Sequence, residues 1–455
     1  MASAPGACRG GAGFAVHTLG CPKNEADSAT LERRLAALGH RPVSIAVADL
    51  VIVNTCGFID AAKEESIDAI LEVAESCHAR GARIAAIGCL VERYGEELRR
   101  EIPEVDVWSG FDDAPLMRAL AALAGEIEGG ARSGGGERWD AAQSARRPTV
   151  PLHAYVKISD GCDRRCAYCA IPLIKGGYAA LAPQAILSAA AHATASGARE
   201  LVLVGQDTSH WAWPGYGALP RLLRDVVSLE PFWLRVLYLQ PDGIDGPLLE
   251  ALAAYAVPYV DLPLQHASRA VLERMGRRGD ADRYLALLDH VRCALPGAAV
   301  RSTFIVGFPG ETERDVEALA EFIAAAELAV AGVFVFDPQE GTPALSLRPT
   351  VPYTEALERA AFIGEQIERA AARFWSAMVG RRAEVLIEHG TRTAGGRATG
   401  RIRLQAPDVD GTTTVAVQGA VRKGQIVTAV VDGVAGYHLT AHGVAKQGES
   451  EAGRT

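Results

Sequence analysis

The sequence lacks any apolar run long enough to cross a bilayer, and its first residues lack the basic-then-apolar pattern of a secretory signal. These absences argue against a membrane protein and predict a cytoplasmic one. Disulfides are rare in that reducing compartment, so the nine cysteines are not expected to pair with one another. Their number therefore favours metal binding or catalysis.

An excess of positive charge is also missing. The chain has 46 Lys and Arg against 55 Asp and Glu, a net charge of −9. Stable nucleic-acid binding is therefore not expected, whereas a basic protein partner is compatible with this charge. A hydrophobic content of 49% is typical of globular proteins, and a length of 455 residues predicts two or three domains.

What the sequence does contain is a compact cysteine motif. Cys162, Cys166 and Cys169 follow a short apolar run, 154–158, that predicts a strand. Three thiolates on so tight a loop suit a four-iron cluster and leave one iron without a protein ligand. That open iron is able to bind a substrate-like molecule.

A zinc site is the alternative interpretation of this motif. It requires a fourth ligand from elsewhere, such as His153 or Cys293. Structural zinc ligands usually come as two pairs, and the chain has no second pair of matching spacing.

A second set of three cysteines is spread along the amino-terminal part of the chain. Cys21, Cys56 and Cys89 each follow an apolar run and precede a helical pattern. Alternating strands and helices predict a parallel sheet, in which all strand carboxyl ends meet at one edge. We therefore expect these cysteines to converge and to bind a second cluster. The remaining cysteines are expected to be small buried hydrophobic residues: Cys8, Cys77 and Cys293.

The predicted fold class is α/β, with three domains. An amino-terminal parallel-sheet domain is followed by a central partial (β/α)6 barrel, because six strand candidates are too few for a closed eight-fold barrel. Short alternating runs near the carboxyl end predict a small antiparallel β-barrel. The predicted boundaries are 13–124 and 149–379 for the first two domains, 125–148 for a linker, 380–445 for the small barrel and 446–455 for a tail.

These motifs resemble a known family. Cys162-x-x-x-Cys166-x-x-Cys169 on the first barrel strand resembles the radical S-adenosylmethionine (SAM) superfamily. The segments 19–24, 54–58 and 88–90 resemble the amino-terminal domain of the methylthiotransferases, and the small barrel resembles their TRAM domain. The resemblance covers the chain from about Phe14 to about Gly443.

Within that family, the chain resembles the branch that modifies an aspartate β-carbon in the twelfth small-subunit ribosomal protein. The motifs that carry this resemblance are 170–176, 206–208, 263–266, 275–279, 339–343 and especially 406–411. The alternative is the branch that modifies isopentenyl-adenosine in transfer RNA. One departure from the family is Ala179-Ala180-Leu181, which replaces a usual Arg-Ser-Arg run.

The resemblance implies two 4Fe-4S clusters, SAM, and an electron donor such as flavodoxin or ferredoxin. It implies reductive SAM cleavage at the Cys162, Cys166 and Cys169 cluster, with sulfur supplied from the cluster of Cys21, Cys56 and Cys89. A non-catalytic electron carrier is a further alternative, but six ligands rather than eight leave open irons that a carrier does not need. The candidate SAM contacts are Tyr168, Gln206, Asp207, Gln265, Arg301 and Thr303.

The small barrel offers one further hypothesis about the protein partner. Asp408 and Asp410 lie on a predicted turn, where acidic side chains are expected to be exposed. Because the ribosomal protein is strongly basic, these two carboxylates are expected to steer it.

Overall fold

The computed structural model describes residues 11–128, 151–393 and 395–444. The chain divides into two compact units. The first contains the amino-terminal part together with 161–163 and 170–178, and the second contains 151–160, 164–169 and everything from Ala179 onward. The predicted linker 125–148 is wrong at its start, because residues 125–128 continue a helix; its remainder and the predicted tail 446–455 lie outside the described residues.

The first unit is a five-stranded parallel sheet in the order β2-β1-β3-β4-β5. The central strand β3 is buried along its whole length, which explains its continuous apolar run. The strands are β1 (Gly13–Thr18), β2 (Arg41–Pro42), β3 (Leu50–Thr55), β4 (Arg83–Gly88) and β5 (Val107–Ser109).

Helices cover both faces of this sheet. Leu35 of α1 and Leu120 of α4 pack in one hydrophobic cluster, whereas Ile70 of α2 and Leu98 of α3 pack in another. The predicted parallel sheet with helices on both faces is therefore confirmed. The helices of the unit are α1 (Pro22–Ala37), α2 (Asp60–His78), α3 (Cys89–Glu101), α4 (Ala114–Glu128) and α5 (Ile171–Lys175).

The second unit contains the six predicted barrel strands. They form two three-stranded parallel sheets, β12-β9-β6 and β13-β14-β15. Backbone hydrogen bonds join the two sheets: Val257 N–H donates to Leu234 O (2.8 Å) and Leu239 N–H to Asp261 O (3.1 Å). The strands are β6 (His153–Lys157), β9 (Glu200–Val204), β12 (Trp233–Val236), β13 (Tyr259–Gln265), β14 (Ala299–Val306) and β15 (Val330–Val335).

Helices pack against one face of these strands. Phe304 of β14 contacts Phe322 of α11, whose amino end carries a capping box between Thr312 and Asp315. The helices are α6 (Pro183–Ala195), α7 (Leu219–Val227), α8 (Gly246–Tyr255), α9 (Arg269–Arg274), α10 (Ala281–Ala294), α11 (Glu313–Ala325) and α12 (Tyr353–Ser376). Two short antiparallel strand pairs complete this part: β7 (Ser159–Asp160) with β8 (Ala179–Ala180), and β10 (Ala212–Trp213) with β11 (Gly217–Ala218).

The carboxyl-terminal part of the second unit is a closed β-barrel in the order β16-β17-β18-β20-β19. The last strand, β20, pairs in parallel with β18, so one strand pair departs from the predicted antiparallel arrangement. The strands are β16 (Arg382–His389), β17 (Arg397–Ile402), β18 (Thr413–Ala416), β19 (Ile426–Ala435) and β20 (His438–Gly443).

A buried ion cluster joins this closed barrel to the partial barrel. The carboxylate of Glu200, at the start of β9, lies 2.7 Å from Arg235 Nε of β12 and 2.7 Å from Arg401 Nη1 of β17. Arg235 also donates to the backbone oxygens of Arg403 and Gln405. Removing one partner of such a buried cluster costs about 3–5 kcal/mol, because an uncompensated charge is left behind.

The structure corrects the expectation for Asp410 but not for Asp408. Asp410 is largely buried, and its carboxylate accepts the Ala406 N–H (2.8 Å). Asp408 is half exposed, but it is bound by His153 Nε2 (2.9 Å) and the Tyr155 hydroxyl (3.0 Å) of β6. The prediction of exposure is therefore wrong for Asp410, which is shielded where this turn packs against the partial barrel, and it holds for Asp408.

Two further findings concern cysteines and membrane spans. Cys77 is fully buried as expected, but Cys293 on α10 is exposed, so the expectation for Cys293 is wrong. Cys8 lies outside the described residues. Within the described ranges, no helix has both the length and the apolar character needed to cross a bilayer.

Candidate active site

The three amino-terminal cysteines lie at the carboxyl ends of three adjacent strands of the first unit. Cys21 follows β1, Cys56 follows β3 and Cys89 follows β4, and these strands are neighbours in the sheet. The thiol of Cys89 is within electrostatic range of both other thiols. The structure therefore brings together the three residues that the sequence places at equivalent strand ends; we call them the strand-end trio.

Two buried asparagines hold the strand-end trio in place. Asn24 on α1 donates its side-chain amide to the backbone oxygens of Leu19 (2.9 Å) and Thr55 (3.0 Å), which precede Cys21 and Cys56. Asn54 donates to the Asn24 backbone oxygen (3.0 Å). Both asparagines are almost fully buried, so these bonds fix the relative positions of the two cysteine loops.

Two glycines allow the backbones of these loops to approach closely. Gly20 has φ +86°, and a Cβ there would lie 2.6 Å from Cys56 Cβ. Gly88 has φ +94°, and a Cβ there would lie 2.4 Å from Asn54 Oδ1. A side chain at either position would be strained and would push the trio apart.

Burial controls the protonation of these thiols. It raises the pKa of Cys89 to about 12 and also raises the pKa of Cys56, which favours neutral thiols at physiological pH. Metal ions offset this cost by stabilising thiolates. The amino ends of α1 and α3 lie at Cys21 and Cys89, and their backbone dipoles favour negative charge there.

The donor set of the strand-end trio fits an iron–sulfur cluster. Three sulfur atoms meet at one sheet edge, which is the ligand chemistry that such clusters use. The helix ends supply positive potential for the net negative charge of thiolates and cluster.

Cys162, Cys166 and Cys169 share one loop between β7 and α5; we call them the loop trio. The division between the two units passes through this loop, with 161–163 in the first and 164–169 in the second. Within the first unit, Cys162 N–H donates to Gly176 O (3.2 Å). All three side chains are partly exposed, and three sulfur donors within eight residues again fit a cluster with one open iron.

The part of the loop in the second unit is held by its backbone. Ala167 N–H donates to Met275 O (2.8 Å), and Ala344 N–H donates to Ala167 O (2.9 Å). Cys169 N–H donates to Cys166 O (3.1 Å), which closes a turn between two of the cysteines. These bonds fix both Cys166 and Cys169.

Two arginines hold the same part of the loop through their side chains. Arg164 within the loop pairs with Asp207 (2.7 Å), which follows β9, and with Asp242 (2.7 Å). Arg277, which follows α9, reaches Cys166 Sγ (3.7 Å).

Three of the predicted SAM contacts, Tyr168, Gln206 and Asp207, belong to the first part of the barrel. They differ in burial and in their hydrogen-bond partners. Tyr168 lies beside Cys166 and Arg277, and burial raises its pKa. Gln206 has a buried Oε1 with no hydrogen-bond partner among the described residues. Asp207, in contrast, already accepts hydrogen bonds from Arg164, Ser209 and the His210 backbone.

The other predicted contacts lie on β13 and β14. Gln265 has φ +71° and donates to the Thr303 hydroxyl (3.5 Å). Arg301 Nη1 lies 3.7 Å from Asp261 Oδ1 on the neighbouring strand. These three side chains therefore occupy adjacent strands of one sheet, with Arg301 and Thr303 on the face opposite Phe304.

Asn24, Asn54, Arg164 and Arg277 were not predicted from the sequence to have a role in the site. Asn24, Asn54 and Arg277 lie within motifs that were noted for their resemblance alone. A polar residue at the end of an apolar strand, as at Asn54, is the signal that points to a buried hydrogen bond.

Comparisons with known proteins match all three domains. The uncharacterized protein family UPF0004 matches residues 13–110, the Radical SAM superfamily matches 156–323, and the TRAM domain matches 379–444.

Several curated relatives cover nearly the whole chain. A ribosomal protein uS12 methylthiotransferase RimO from Frankia alni is 39% identical and covers 89% of this chain and 82% of its own length. The protein of the same name from a Nocardioides species is 38% identical, covering 96% of this chain and 98% of its own. That from Thermodesulfovibrio yellowstonii is 36% identical, covering 95% and 99%.

A solved structure shares the fold. The radical S-adenosylmethionine methyltransferase TsrM from Kitasatospora setae, solved with cobalamin and a 4Fe-4S cluster bound, aligns with a TM-score of 0.50. It is 16% identical, and the alignment covers 73% of this chain and 77% of that one. Identity to the uS12 methylthiotransferases over most of the chain shows that this protein belongs to their family, within the radical SAM superfamily.

Proposed function

We propose that this enzyme inserts a methylthio group at the β-carbon of an aspartate in uS12, the twelfth small-subunit ribosomal protein. The observation that carries the proposal is identity of 36–39% to uS12 methylthiotransferases across nearly the whole chain. A ribosomal-protein substrate agrees with the net charge of −9 and with a reaction in the cytoplasm. The transfer-RNA alternative is not favoured by these relatives.

The proposal assigns one 4Fe-4S cluster to each cysteine trio. The loop trio holds the cluster that, together with SAM, supplies the radical chemistry needed to activate a carbon–hydrogen bond. No side chain that titrates near neutral pH is basic enough to deprotonate such a carbon, so a cofactor is required. The strand-end trio holds the second cluster, near which sulfur is delivered.

The residues of the chain position these groups. Arg164 and the backbone bonds of Ala167 fix the loop trio, and Asn24 and Asn54 fix the strand-end trio. Gln206, Gln265, Arg301 and Thr303 are proposed SAM contacts, supported for Gln206 by its unpaired buried Oε1. Asp207 is assigned to the loop through Arg164, because that ion pair already occupies its carboxylate.

The reaction also needs an electron for SAM cleavage. A one-electron donor of low potential, such as flavodoxin or ferredoxin, is proposed to supply it.

The experiment is anaerobic reconstitution with SAM, a reductant and recombinant uS12. Mass spectrometry is expected to detect one added methylthio group on the aspartate-containing peptide. Three controls accompany it: the Cys166→Ala enzyme, uS12 with alanine in place of the aspartate, and transfer RNA carrying isopentenyl-adenosine. Modification of the transfer RNA but not of uS12 would overturn the proposal.

A further inference from the structure

The segment after α9 lies directly against the cysteine loop in the second unit. Met275 O accepts the Ala167 N–H (2.8 Å). Gly276 has φ +72°, and a Cβ there would lie 2.8 Å from Arg165 O. The close approach of these two backbones brings the next residue, Arg277, beside Cys166.

The guanidinium of Arg277 donates hydrogen bonds to a backbone carbonyl, a side-chain amide and a cysteine sulfur. Its Nη2 donates to Pro263 O (2.7 Å) and to Gln240 Oε1 (3.3 Å). Its Nη1 points at Cys166 Sγ (3.7 Å). Its Nε is buried and has no hydrogen-bond partner within the described ranges.

No carboxylate of the described residues forms an ion pair with Arg277. Asp207 and Asp242 pair with Arg164, although Asp242 also lies within electrostatic range of Arg277. Arg277 is partly buried and has no ion-pair partner among the described residues, so negative charge from another source would stabilise its guanidinium. The phenols of Tyr168 and Tyr284 also lie near the guanidinium, and among its hydrogen-bond acceptors Cys166 Sγ is the one that ionises to an anion.

We propose that Arg277 is a positioning residue that supplies the compensating positive charge for the loop-trio cluster and raises its reduction potential. This inference rests on the proposed assignment of Cys162, Cys166 and Cys169 as cluster ligands. One electron enters from the low-potential donor, no bond is made or broken in that step, and the net charge falls by one. A fixed cation nearby stabilises the reduced form more than the oxidised form, and hydrogen bonds to ligand sulfur act in the same direction.

The test is a redox titration followed by electron paramagnetic resonance. The full-length chain carries Cys21→Ala, Cys56→Ala and Cys89→Ala, so that only the loop trio remains to bind a cluster. Into this background we introduce Arg277→Gln, Arg277→Lys and, as the matched control, Arg278→Gln. Arg278 is the next residue and is exposed.

Arg277→Gln is expected to lower the midpoint potential by at least about 59 mV, a tenfold change in the one-electron equilibrium. Arg277→Lys keeps the charge and is expected to recover at least half of that shift, and Arg278→Gln is expected to leave the potential unchanged. An unchanged potential in Arg277→Gln, or an equal drop in Arg278→Gln, overturns the inference.

Cluster assembly provides a second measurement if the glutamine variant does not hold iron. Loss of the cluster in Arg277→Gln with retention in Arg277→Lys supports charge compensation, whereas loss in both shows a purely geometric role and overturns it. Failure of the parent background to bind a cluster contradicts the assignment of the loop trio itself. The two failures are therefore distinguishable.

Discussion

The two cysteine trios reach the same ligand chemistry by different structural routes. The strand-end trio draws its members from three separate β/α units, and Cys56 and Cys89 are buried. The loop trio lies within eight consecutive residues and is partly exposed. The first site therefore depends on the folded sheet, whereas the second depends on a local loop and on the side chains that hold it.

The sharpest test of this comparison is removal of one cysteine from each trio. Cys166→Ala is expected to abolish formation of 5′-deoxyadenosine from SAM, because the cluster loses one of its three ligands. Cys56→Ala is expected to retain measurable 5′-deoxyadenosine formation while methylthio transfer to uS12 stops. Chromatographic assay of 5′-deoxyadenosine and mass spectrometry of uS12 measure the two effects. Equal loss of 5′-deoxyadenosine formation in both variants would show that SAM cleavage and sulfur transfer do not belong to separate trios.

Iron content tests whether the trios are separate sites. The reconstituted chain is expected to bind roughly eight irons, four for each cluster. Replacing Cys21, Cys56 and Cys89 together by alanine is expected to halve this number. The measurement is iron and sulfide analysis after anaerobic reconstitution. A maximum of four irons that the triple variant does not lower would contradict the second site.

Asn24→Ala tests the dependence of the strand-end trio on the folded sheet. The change leaves the backbone oxygens of Leu19 and Thr55 without their side-chain donor, at a cost of about 1–3 kcal/mol for each buried group. We expect lower stability in urea and loss of iron from the strand-end trio only. Thr30→Ala, an exposed position on the same helix, is the control and is expected to behave like the parent chain. Equal iron loss from both trios would show that the strand-end trio does not depend on the folded sheet more than the loop trio does.

Arg164→Gln tests the support of the loop trio. Arg164 is partly exposed, so solvent screening limits the stability loss to about 1 kcal/mol. Because Asp207 and Asp242 lose their common partner, the loop becomes less ordered and the KM for SAM is expected to rise more than kcat falls. Steady-state kinetics of 5′-deoxyadenosine formation measure this. A fall in kcat with an unchanged KM would assign Arg164 a role other than loop positioning.

The smallest expected effect lies away from both trios, at Asp408. The hydrogen bond from His153 holds the pKa of the Asp408 carboxyl below its ordinary value, and the Tyr155 hydroxyl and Arg401 act in the same direction. The resulting stability is therefore present above the ordinary aspartate pKa and is lost as pH falls below about 4. Asp408 is half exposed, so its contribution is expected to be below about 1 kcal/mol.

Thermal unfolding of the Asp408→Asn chain and the parent between pH 3 and 7 checks this effect. The two chains are expected to differ near neutral pH and to converge at the acid end. A constant difference across the range would mean that ionisation of Asp408 plays no part.

Sequence patterns predicted the elements of the fold because strands and helices alternate regularly. They also predicted the meeting of Cys21, Cys56 and Cys89, since strand carboxyl ends share one edge of a parallel sheet. They failed at Asp410, whose burial depends on another domain packing against the turn. The exposure of Cys293 could have been predicted from the helical period. Tyr284, Leu288 and Val291 form the buried face of α10, and a residue two positions past Val291 points away from that face.

The contacts of Arg164 and Arg277 were not predictable in this way. Arg164 pairs with Asp207 and Asp242 from later loops, and Arg277 donates to Pro263 of β13; only the folded barrel brings these groups together. A recognised motif indicates that its arginine belongs to the site, but the sequence does not show which group that arginine contacts.

The ion cluster of Glu200, Arg235 and Arg401 limits where the chain can be truncated without removing a charged partner. A fragment ending after α12 keeps Glu200 and Arg235 but loses Arg401 and the backbone oxygens of Arg403 and Gln405. Glu200 stands at the opposite end of β9 from Gln206, roughly 20 Å away at the usual rise per strand residue. The terminal barrel therefore completes the ion cluster at the end of β9 that lies away from Gln206. An unrelated domain in its place would need a cation equivalent to Arg401 to compensate the Glu200 carboxylate.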